Sequence, residues 1–411
     1  SNNITEGNFY KTDDDFNQGV VACYAKLKTQ MSFHLTEIGY RGDENVLESM
    51  AVSTQNRYDI DHFAETANNG ILNDIWNAWY NGIYRCNDVL DHMTGAKIAN
   101  YDKYRGECLF LRSWWYFNLY RVFGVVPITR TVVTPAAAKL IPRCTEEEMY
   151  TLLTEDLAEA ARLLPPTPGP EKARVANIAA YTLLAKVYLT FGKPAEAKTA
   201  LEEAMKNTSY GLESTTKKVF DVGNKMNREI IFALYYNKTN DNGHGYWYSA
   251  NTDVLADINN PTPTFKAIYD SEKDNRLPLI SSYTKIKDNL FAMTKWYDTY
   301  DATYTTQVGN DFPHLRYADV VLMYAEALAE SGGSLGDALE WLNKTRTRAG
   351  LDELTTDEVK SLAEFRRELA AERGREFALE GHRWFDLVRL GLAVDYFRGL
   401  GYSLDAHNLI F

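Results

Sequence analysis

The sequence predicts an all-α protein with tetratricopeptide-like helical hairpins and a long irregular, aromatic-rich insertion. Apolar residues recur at helical spacing through the first half, and small residues face large ones across two tight turns. Residues 209–315 show no sustained helical period and contain Pro, Asn and many aromatic residues. These observations predict a single domain, 1–411. We divide it into an N-terminal helical part with the first hairpin (1–208), an irregular ligand-binding insertion (209–315) and the second hairpin with the C-terminal helices (316–411).

Capping signals mark where helices begin in the first half. Thr12 with Asp15 three residues later is a capping-box pattern, and Thr145 with Glu148 repeats it. Apolar residues at helical spacing follow each pair. The helix after Thr145 is expected to end at Pro165, because proline lacks the N–H that a helix interior needs.

Two helical hairpins are the clearest local units. In the first, the helical period runs from Ile178 to Leu189, Gly192 stands where that helix stops, and Pro194 opens the next helix. The second hairpin has the turn Ser331-Gly332-Gly333 between two apolar periodic runs. Hairpins that recur in this way are expected to stack and bury a shared core.

Composition excludes several classes of partner. The 411 residues are 45% hydrophobic, enough for a sizeable core, and carry a net charge of −12. Because nucleic-acid and anionic-membrane binding need clustered Lys and Arg, we expect no nucleic-acid partner and no direct membrane adhesion. The four scattered cysteines show no metal-ligand spacing, so buried free thiols are expected. No window is apolar enough for a membrane span, and no signal peptide is recognisable.

Several segments together resemble the SusD/RagB family. The most specific is 372–389, with the sequence ERGREFALEGHRWFDLVR. Shorter similarities are found along nearly the whole chain, at residues 6–10, 105–112, 116–117, 123–127, 315–320, 324–327 and 343–351. The resemblance implies a helical protein that captures glycans, or peptides in the RagB-like branch. It also implies delivery of that ligand to a TonB-dependent outer-membrane transporter.

Two departures from the family pattern concern the ends of the chain. The lipidated N-terminal cysteine of the family is missing, and the chain stops at Phe411 where the family continues with a Pro-rich segment. Both look like truncation. The resemblance therefore implies an outer-membrane, cell-surface lipoprotein that contacts the membrane only through a lipid anchor absent from this chain.

A stripe of carboxylates is the only candidate for catalytic chemistry. Four glutamates step by four along a predicted helix: Glu368, Glu372, Glu376 and Glu380. Arginines are abundant nearby, so we favour a structural arginine–carboxylate network over a catalytic or metal-binding cluster. A general acid needs a raised carboxyl pKa, and neighbouring arginines act in the opposite direction. No histidine pair, nucleophile motif or phosphate loop is present, so no catalytic residue, cofactor or metal site is predicted.

Three consecutive aromatic residues, Tyr246-Trp247-Tyr248, are the first candidate ligand site. They follow a polar run, 237–245, and in an extended chain their rings cannot all face one core. Aromatic faces suit the C–H faces of pyranose rings, and the neighbouring polar side chains can bond hydroxyl groups. The alternative is a buried aromatic strand beneath the loop.

Residues 41–58 are the second candidate, with Asp43, Arg57 and Tyr58 as predicted ligand contacts. The family resemblance implies a variable ligand-contacting loop here, after a similar acidic pair. The alternative is an ordinary solvated connection. Trp296-Tyr297 is assigned to packing, because it lies just before the second hairpin.

Three functions remain open from the sequence. They are non-catalytic surface glycan binding, peptide binding in a RagB-like subunit, and a helical-repeat structural adaptor. Exposed coplanar aromatic rings would favour a glycan, whereas an open strand edge or charged end-pockets would favour a peptide. An adaptor would show only a concave helical groove.

Overall fold

The structure is a computed structural model that describes residues 9–44, 55–237, 261–281, 285–287, 290–291, 295–296 and 309–404. The first helices are α1 (Asp13–Ile38), α2 (Gln55–Asp61), α3 (Gly70–Met93), α4 (Tyr101–Phe123), α5 (Pro135–Ala138) and α6 (Glu146–Leu163). A 3₁₀ turn, Gly39–Arg41, follows α1. Helices α1, α3, α4 and α6 pack in successive layers. Helix α3 lies against α1 and α4, and α6 lies against α4.

Both predicted capping boxes are confirmed. The backbone N–H of Thr12 donates to Asp15 Oδ2 at 2.7 Å, and the N–H of Asp15 donates back to Thr12 Oγ1 at 3.2 Å. Thr145 and Glu148 make the same reciprocal pair at the start of α6, which ends at Leu163 as expected. Each box satisfies N–H groups that have no partner inside the helix.

The two hairpins are present at the predicted turns. The first is α7 (Asn177–Thr190) with α8 (Pro194–Met205), and Gly192 between them has φ of 69°. The second is α12 (Tyr317–Glu330) with α13 (Leu335–Arg348), and Gly332 in its turn has φ of 85°. Such left-handed backbone favours glycine. Helix α12 also packs on α8, so the hairpins stack as predicted.

The described parts of the insertion contain one-turn helices and short strands. They are α9 (Thr216–Val219), the 3₁₀ turn Val222–Asn224, β1 (Ile230–Leu234), α10 (Pro263–Lys266), α11 (Leu277–Ile280), β2 (Lys285–Lys287), β3 (Leu290–Phe291) and β4 (Phe312–Arg316). Strands β1 and β4 pair antiparallel, with Ile230 opposite Arg316 and Leu234 opposite Phe312. Strand β2 pairs with β3. Within the described residues these two small pairs are the sheet structure, and the all-α prediction is confirmed.

The chain closes with α14 (Leu362–Glu376), α15 (Arg383–Arg389) and α16 (Ala393–Gly399). The described core is one continuous apolar cluster that runs from α1 to α16. Cys23, Cys86 and Cys108 are buried in it as free thiols, as expected. Trp296 is fully buried and stacks on Phe312 with ring centroids 5.4 Å apart, which confirms its packing role. Among the described residues, no helix has the length and apolar character to cross a membrane.

Helices α3 and α4 approach closely at Gly82. A Cβ atom added at Gly82 would lie 2.1 Å from Cε2 of the buried Trp115. We therefore predict that Gly82→Ala destabilises the protein by about 1–3 kcal/mol through overpacking, although alanine favours helices. Gly336→Ala in α13 is the matched control, because its nearest side-chain atom is 3.8 Å away. That change should stabilise by up to about 1 kcal/mol. Urea unfolding measures both, and equal effects would contradict this packing.

Candidate ligand-binding site

The predicted site residues fall into two groups in the structure. Tyr246, Trp247 and Tyr248 lie outside the described residues, as does the central part of the second region, 45–54. The aromatic site therefore stays a prediction. Asp43, Arg57 and Tyr58 are described, and the structure gives the surroundings of each.

Asp43 is an ion-pair partner inside the protein. It is 3% exposed, and its carboxylate accepts hydrogen bonds from Arg383 Nε at 2.8 Å and from the hydroxyl of Tyr396. Its backbone carbonyl accepts from the Thr262 hydroxyl at 2.9 Å. These bonds join the end of the first 3₁₀ turn to α10, α15 and α16. The structure thus gives Asp43 a structural role that sequence reasoning missed, and its contact with a ligand stays a prediction.

Arg57 and Tyr58 lie on α2, and both are partly buried. The Tyr58 ring stacks on His62 with centroids 3.8 Å apart and an interplanar angle of 18°. His62 in turn makes an edge contact with Tyr402 at 6.5 Å. Tyr58 therefore belongs to a small aromatic group between α2 and the C-terminal segment. Ligand contact by Arg57 and Tyr58 stays a prediction.

Glu376 is the centre of a buried ion-pair network. Its carboxylate accepts from Arg316 Nη1 at 2.7 Å, from Arg276 Nη1 at 2.9 Å and from Arg348. All four side chains are almost completely buried. Arg316 precedes α12 and Arg348 ends α13, so the network joins α14 to the second hairpin. The predicted structural network is therefore confirmed.

The network also reaches the insertion, which the sequence did not indicate. Arg276 pairs with Glu372 at 2.7 Å, and Lys295 donates to Glu380 at 2.7 Å. Both cations come from the 209–315 insertion. Conversely, some nearby arginines pair elsewhere: Arg383 with Asp43, Arg366 with Glu330, and Arg389 with Glu326. The stripe thus ties three parts of the chain together.

The charges around the stripe make it a poor acid catalyst. Burial alone would raise the pKa of Glu376, but Arg348, Arg316 and Arg276 outweigh it and hold that pKa well below its usual range. Burial would also raise the pKa of Glu372, but the neighbouring Arg276 and Arg375 outweigh it, and the pKa of this carboxyl is likewise lowered. These carboxylates stay ionised near neutral pH, whereas a general acid has to carry a proton.

Glu44 behaves in the opposite way. It is 1% exposed, and burial raises the pKa of its carboxyl to about 8, while the Leu379 N–H that donates to it at 2.8 Å opposes the rise. Leu379 has left-handed backbone with φ of 62°, a strained conformation for leucine. Glu44 therefore fixes the segment after α14 against the start of the second candidate region. Sequence reasoning missed it because its partner is 335 positions away.

A surface groove of about 730 Å³ lies between the extended segment before α5 and helix α6. Its lining residues are Ile128, Arg130, Ile141, Pro142, Arg143, Cys144, Thr145, Glu147, Glu148, Thr151 and Leu152. Its size suits a small ligand, but these lining residues include no aromatic ring on which a sugar could stack. Across the described residues, no cluster of three or more His, Cys, Asp or Glu side chains could hold a metal ion.

The fold and these sites define a class of protein: a scaffold of stacked helical hairpins whose insertion is held by buried ion pairs. Two family models match this chain. The model of the SusD family matches residues 272–410, and the model described as "Starch-binding associating with outer membrane" matches residues 11–189. The chain belongs to the SusD/RagB family, which confirms the resemblance seen in its motifs.

Known relatives match over most of their lengths. SusD-like protein P2 of Formosa agariphila is 26% identical over 439 residues, which cover 95% of this chain and 86% of the relative. A crystal structure of a SusD-like protein from Bacteroides fragilis has a TM-score of 0.82 at 22% identity, covering 95% of this chain and 89% of that one. A laminarin binding SusD-like protein has a TM-score of 0.80 at 23% identity, covering 98% and 96%. At these identities the structural similarity establishes the fold.

The raised pKa of Glu44 predicts a pH-dependent contribution to stability. In the unfolded chain a glutamate titrates near pH 4.3, so between about pH 4 and 8 the folded protein binds the extra proton. The stability that Glu44 contributes is complete below that range and is lost as pH rises through about 8. Glutamine cannot titrate. Relative to wild type, Glu44→Gln should therefore gain on the order of 3 kcal/mol between pH 5 and pH 8.5.

Urea unfolding at the two pH values measures this difference. The exposed Glu340→Gln in α13 is the control, and its stability difference from wild type should be small at both values. Parallel pH curves for wild type and Glu44→Gln would contradict the assigned environment of Glu44.

Proposed function

We propose that this protein is a non-catalytic, cell-surface glycan-binding subunit that delivers oligosaccharides to a TonB-dependent outer-membrane transporter. The observation that carries the proposal is the pair of family matches, one of them to a model described as starch-binding and outer-membrane-associated. The fold shared with a laminarin binding protein supports a glycan as the ligand. Attachment to the outer membrane through a lipid anchor belongs to the same proposal.

The absence of turnover is part of the proposal. It is supported by the lowered pKa values of Glu372 and Glu376, whose carboxylates are occupied by arginines. An acid–base pair for glycoside cleavage would need one carboxyl that holds a proton and faces the substrate. Glu44 does hold a proton near neutral pH, but it is buried against the backbone of Leu379.

We place the ligand on Tyr246, Trp247 and Tyr248, with Asp43, Arg57 and Tyr58 as neighbouring contacts. The support from the structure is the way in which the described ends of this segment are held. The Tyr236 N–H donates to Asp311 Oδ1 at 3.0 Å, next to the paired strands β1 and β4. A loop whose ends are fixed loses less conformational freedom when it binds. Residues 209–315 thus act as a ligand-binding insertion.

Trp247→Ala tests the site. Removing a stacking ring at a hot spot costs roughly 2 kcal/mol or more, or about thirtyfold in affinity. We expect this loss for a glycan identified by array screening and measured by calorimetry, with an unchanged melting temperature. The matched control is Trp341→Ala, since Trp341 is a partly buried ring packed on Tyr324 in the second hairpin. That variant should melt earlier and bind normally.

The opposite pattern would remove Trp247 from the site. If Trp247→Ala binds normally but loses roughly 3–5 kcal/mol of stability, the ring belongs to the core. If the array finds no glycan and a peptide library yields a ligand, the protein is instead a peptide-binding subunit of the RagB type.

A further inference from the structure

A second pocket lies where the end of α4 meets α7 and α15. Its volume is about 290 Å³, near the lower end of the range for small-molecule sites. Its lining residues are Phe117, Tyr120, Arg121, Gly124, Glu146, Lys186, Thr190, Phe385, Asp386, Val388 and Arg389. Three of them are aromatic and three are cationic. The proposed glycan site uses none of these residues.

Arg121 stands out in the wall of this pocket. Its guanidinium carbon lies 4.0 Å from the ring centroid of Phe385 and 4.7 Å from that of Phe117. Its Nη2 atom donates to Asn118 Oδ1 at 2.5 Å, but its buried Nε has no hydrogen-bond partner in the described part of the chain. Among the described residues, no carboxylate lies within ion-pair distance of Arg121. Arg348, Arg373 and Arg375 also contain a buried guanidinium nitrogen without a hydrogen-bond partner in the described chain, but each of them is ion-paired to a carboxylate.

Asp386 in the pocket lining and two carboxylates behind it are occupied by other cations. Asp319 pairs with Lys186 at 2.5 Å and with Arg373 at 2.8 Å. Asp386 pairs with Arg373 at 2.8 Å and with Arg389 at 3.2 Å. The third carboxylate, Glu326, pairs with Arg389. None of the three is within ion-pair distance of Arg121.

The charge count leaves one positive charge in excess. In and behind the pocket, the cations are the partly buried Arg121 and Arg389 and the buried Lys186 and Arg373, and the buried carboxylates are Asp319, Glu326 and Asp386. His382 adds no charge, because burial and then Lys186 lower its pKa well below its usual range. Glu146 is exposed at the rim and accepts from the Tyr120 hydroxyl at 2.7 Å, so solvent screens it. The excess charge therefore resides on Arg121.

Titration does not remove this charge at neutral pH. Burial lowers the pKa of Arg121 to about 9, against the opposing influence of Asp386 and Asp319. Burial likewise lowers the pKa of Lys186 to about 8, although Asp319 raises it. Both groups are still protonated at pH 7. The pocket thus combines a planar cation that lacks an ion pair among the described residues with three aromatic residues, of which Tyr120 is partly exposed and Phe117 and Phe385 are buried.

We propose that this pocket binds a carboxylate carried on a six-membered ring, with the carboxylate paired to Arg121 and the ring packed against the partly exposed Tyr120. A guanidinium offers two parallel donors that match the two oxygens of a carboxylate. The ligand supplies the one negative charge that the wall lacks. Sugar acids and aromatic acids share this chemistry. The inference does not depend on the proposed glycan site.

Calorimetric titration with two charged probes and their neutral analogues tests the proposal. The probes are glucuronate against glucose, and benzoate against benzamide, in chloride-free buffer of fixed ionic strength. We expect at least one carboxylate to bind and its neutral analogue to bind about tenfold or more weakly. The probe that binds more tightly identifies the kind of ring. Equal binding of the charged and neutral members of both pairs would overturn the proposal.

Arg121→Met and Arg121→Lys assign the binding to this residue. Arg121→Met should weaken carboxylate binding about tenfold or more, and Arg121→Lys should weaken it less, because it keeps the charge without the paired donors. Since Arg121 has no ion pair with the described residues, neither variant leaves a buried carboxylate without its partner, and both should melt later than Arg389→Met. Arg389→Met, which deprives Glu326 of its partner, should melt clearly earlier.

Carboxylate binding that is unchanged in both Arg121 variants would contradict the assignment, as would the failure of both probes to bind wild type. If Arg121→Met does not fold, carboxylate binding by Arg121→Lys and the comparison with the neutral analogues still test the assignment to Arg121. Glycan binding at Trp247 should be the same in wild type and in Arg121→Lys, so the two proposals fail independently.

Discussion

The buried guanidinium of Arg316 bonds three glutamates from separate parts of the chain. Glu229 immediately precedes β1, Glu376 ends α14 and Glu380 follows it, and the three bonds are 2.7, 2.7 and 2.9 Å long. Because Arg316 itself ends β4 and precedes α12, one side chain joins the stem of the insertion, the second hairpin and the C-terminal helices. Removing one member of a buried pair leaves an uncompensated charge, so each segment constrains the position of the others.

This arrangement separates the rigid part of the molecule from the part that we propose to bind ligand. The helices carry the apolar core, and the ion pairs hold β1 and β4 against them. Between the two strands, Arg276 and Lys295 belong to the ion-pair network and Trp296 to the core. Residues outside such contacts can vary, as loops on a rigid scaffold generally do. The second pocket departs from this pattern of pairing. Arg373 and Arg389 are paired with carboxylates there, whereas Arg121 has no carboxylate within ion-pair distance among the described residues.

The sequence predicted the features that depend on local spacing. The capping pairs Thr12–Asp15 and Thr145–Glu148 and the turn glycine Gly192 all follow from residues a few positions apart. The missed features join distant residues: Arg276 is 96 positions from Glu372, and Asp43 is 340 positions from Arg383 in the pairs that they form. For the same reason Asp43 was predicted only as a ligand contact. The unpaired state of Arg121 depends on which carboxylates its neighbours occupy, and no sequence pattern records that.

The network around Arg316 and Glu376 couples three segments, and hydrogen exchange by mass spectrometry on Glu376→Gln tests this coupling most directly. Peptides covering β1, β4 and the start of α12 should lose protection together with the end of α14, while α3 and α4 keep theirs. The same coupling implies a loss of roughly 3–5 kcal/mol in the stability of the exchanging unit. Lost protection confined to α14, or none at all, would contradict the claim.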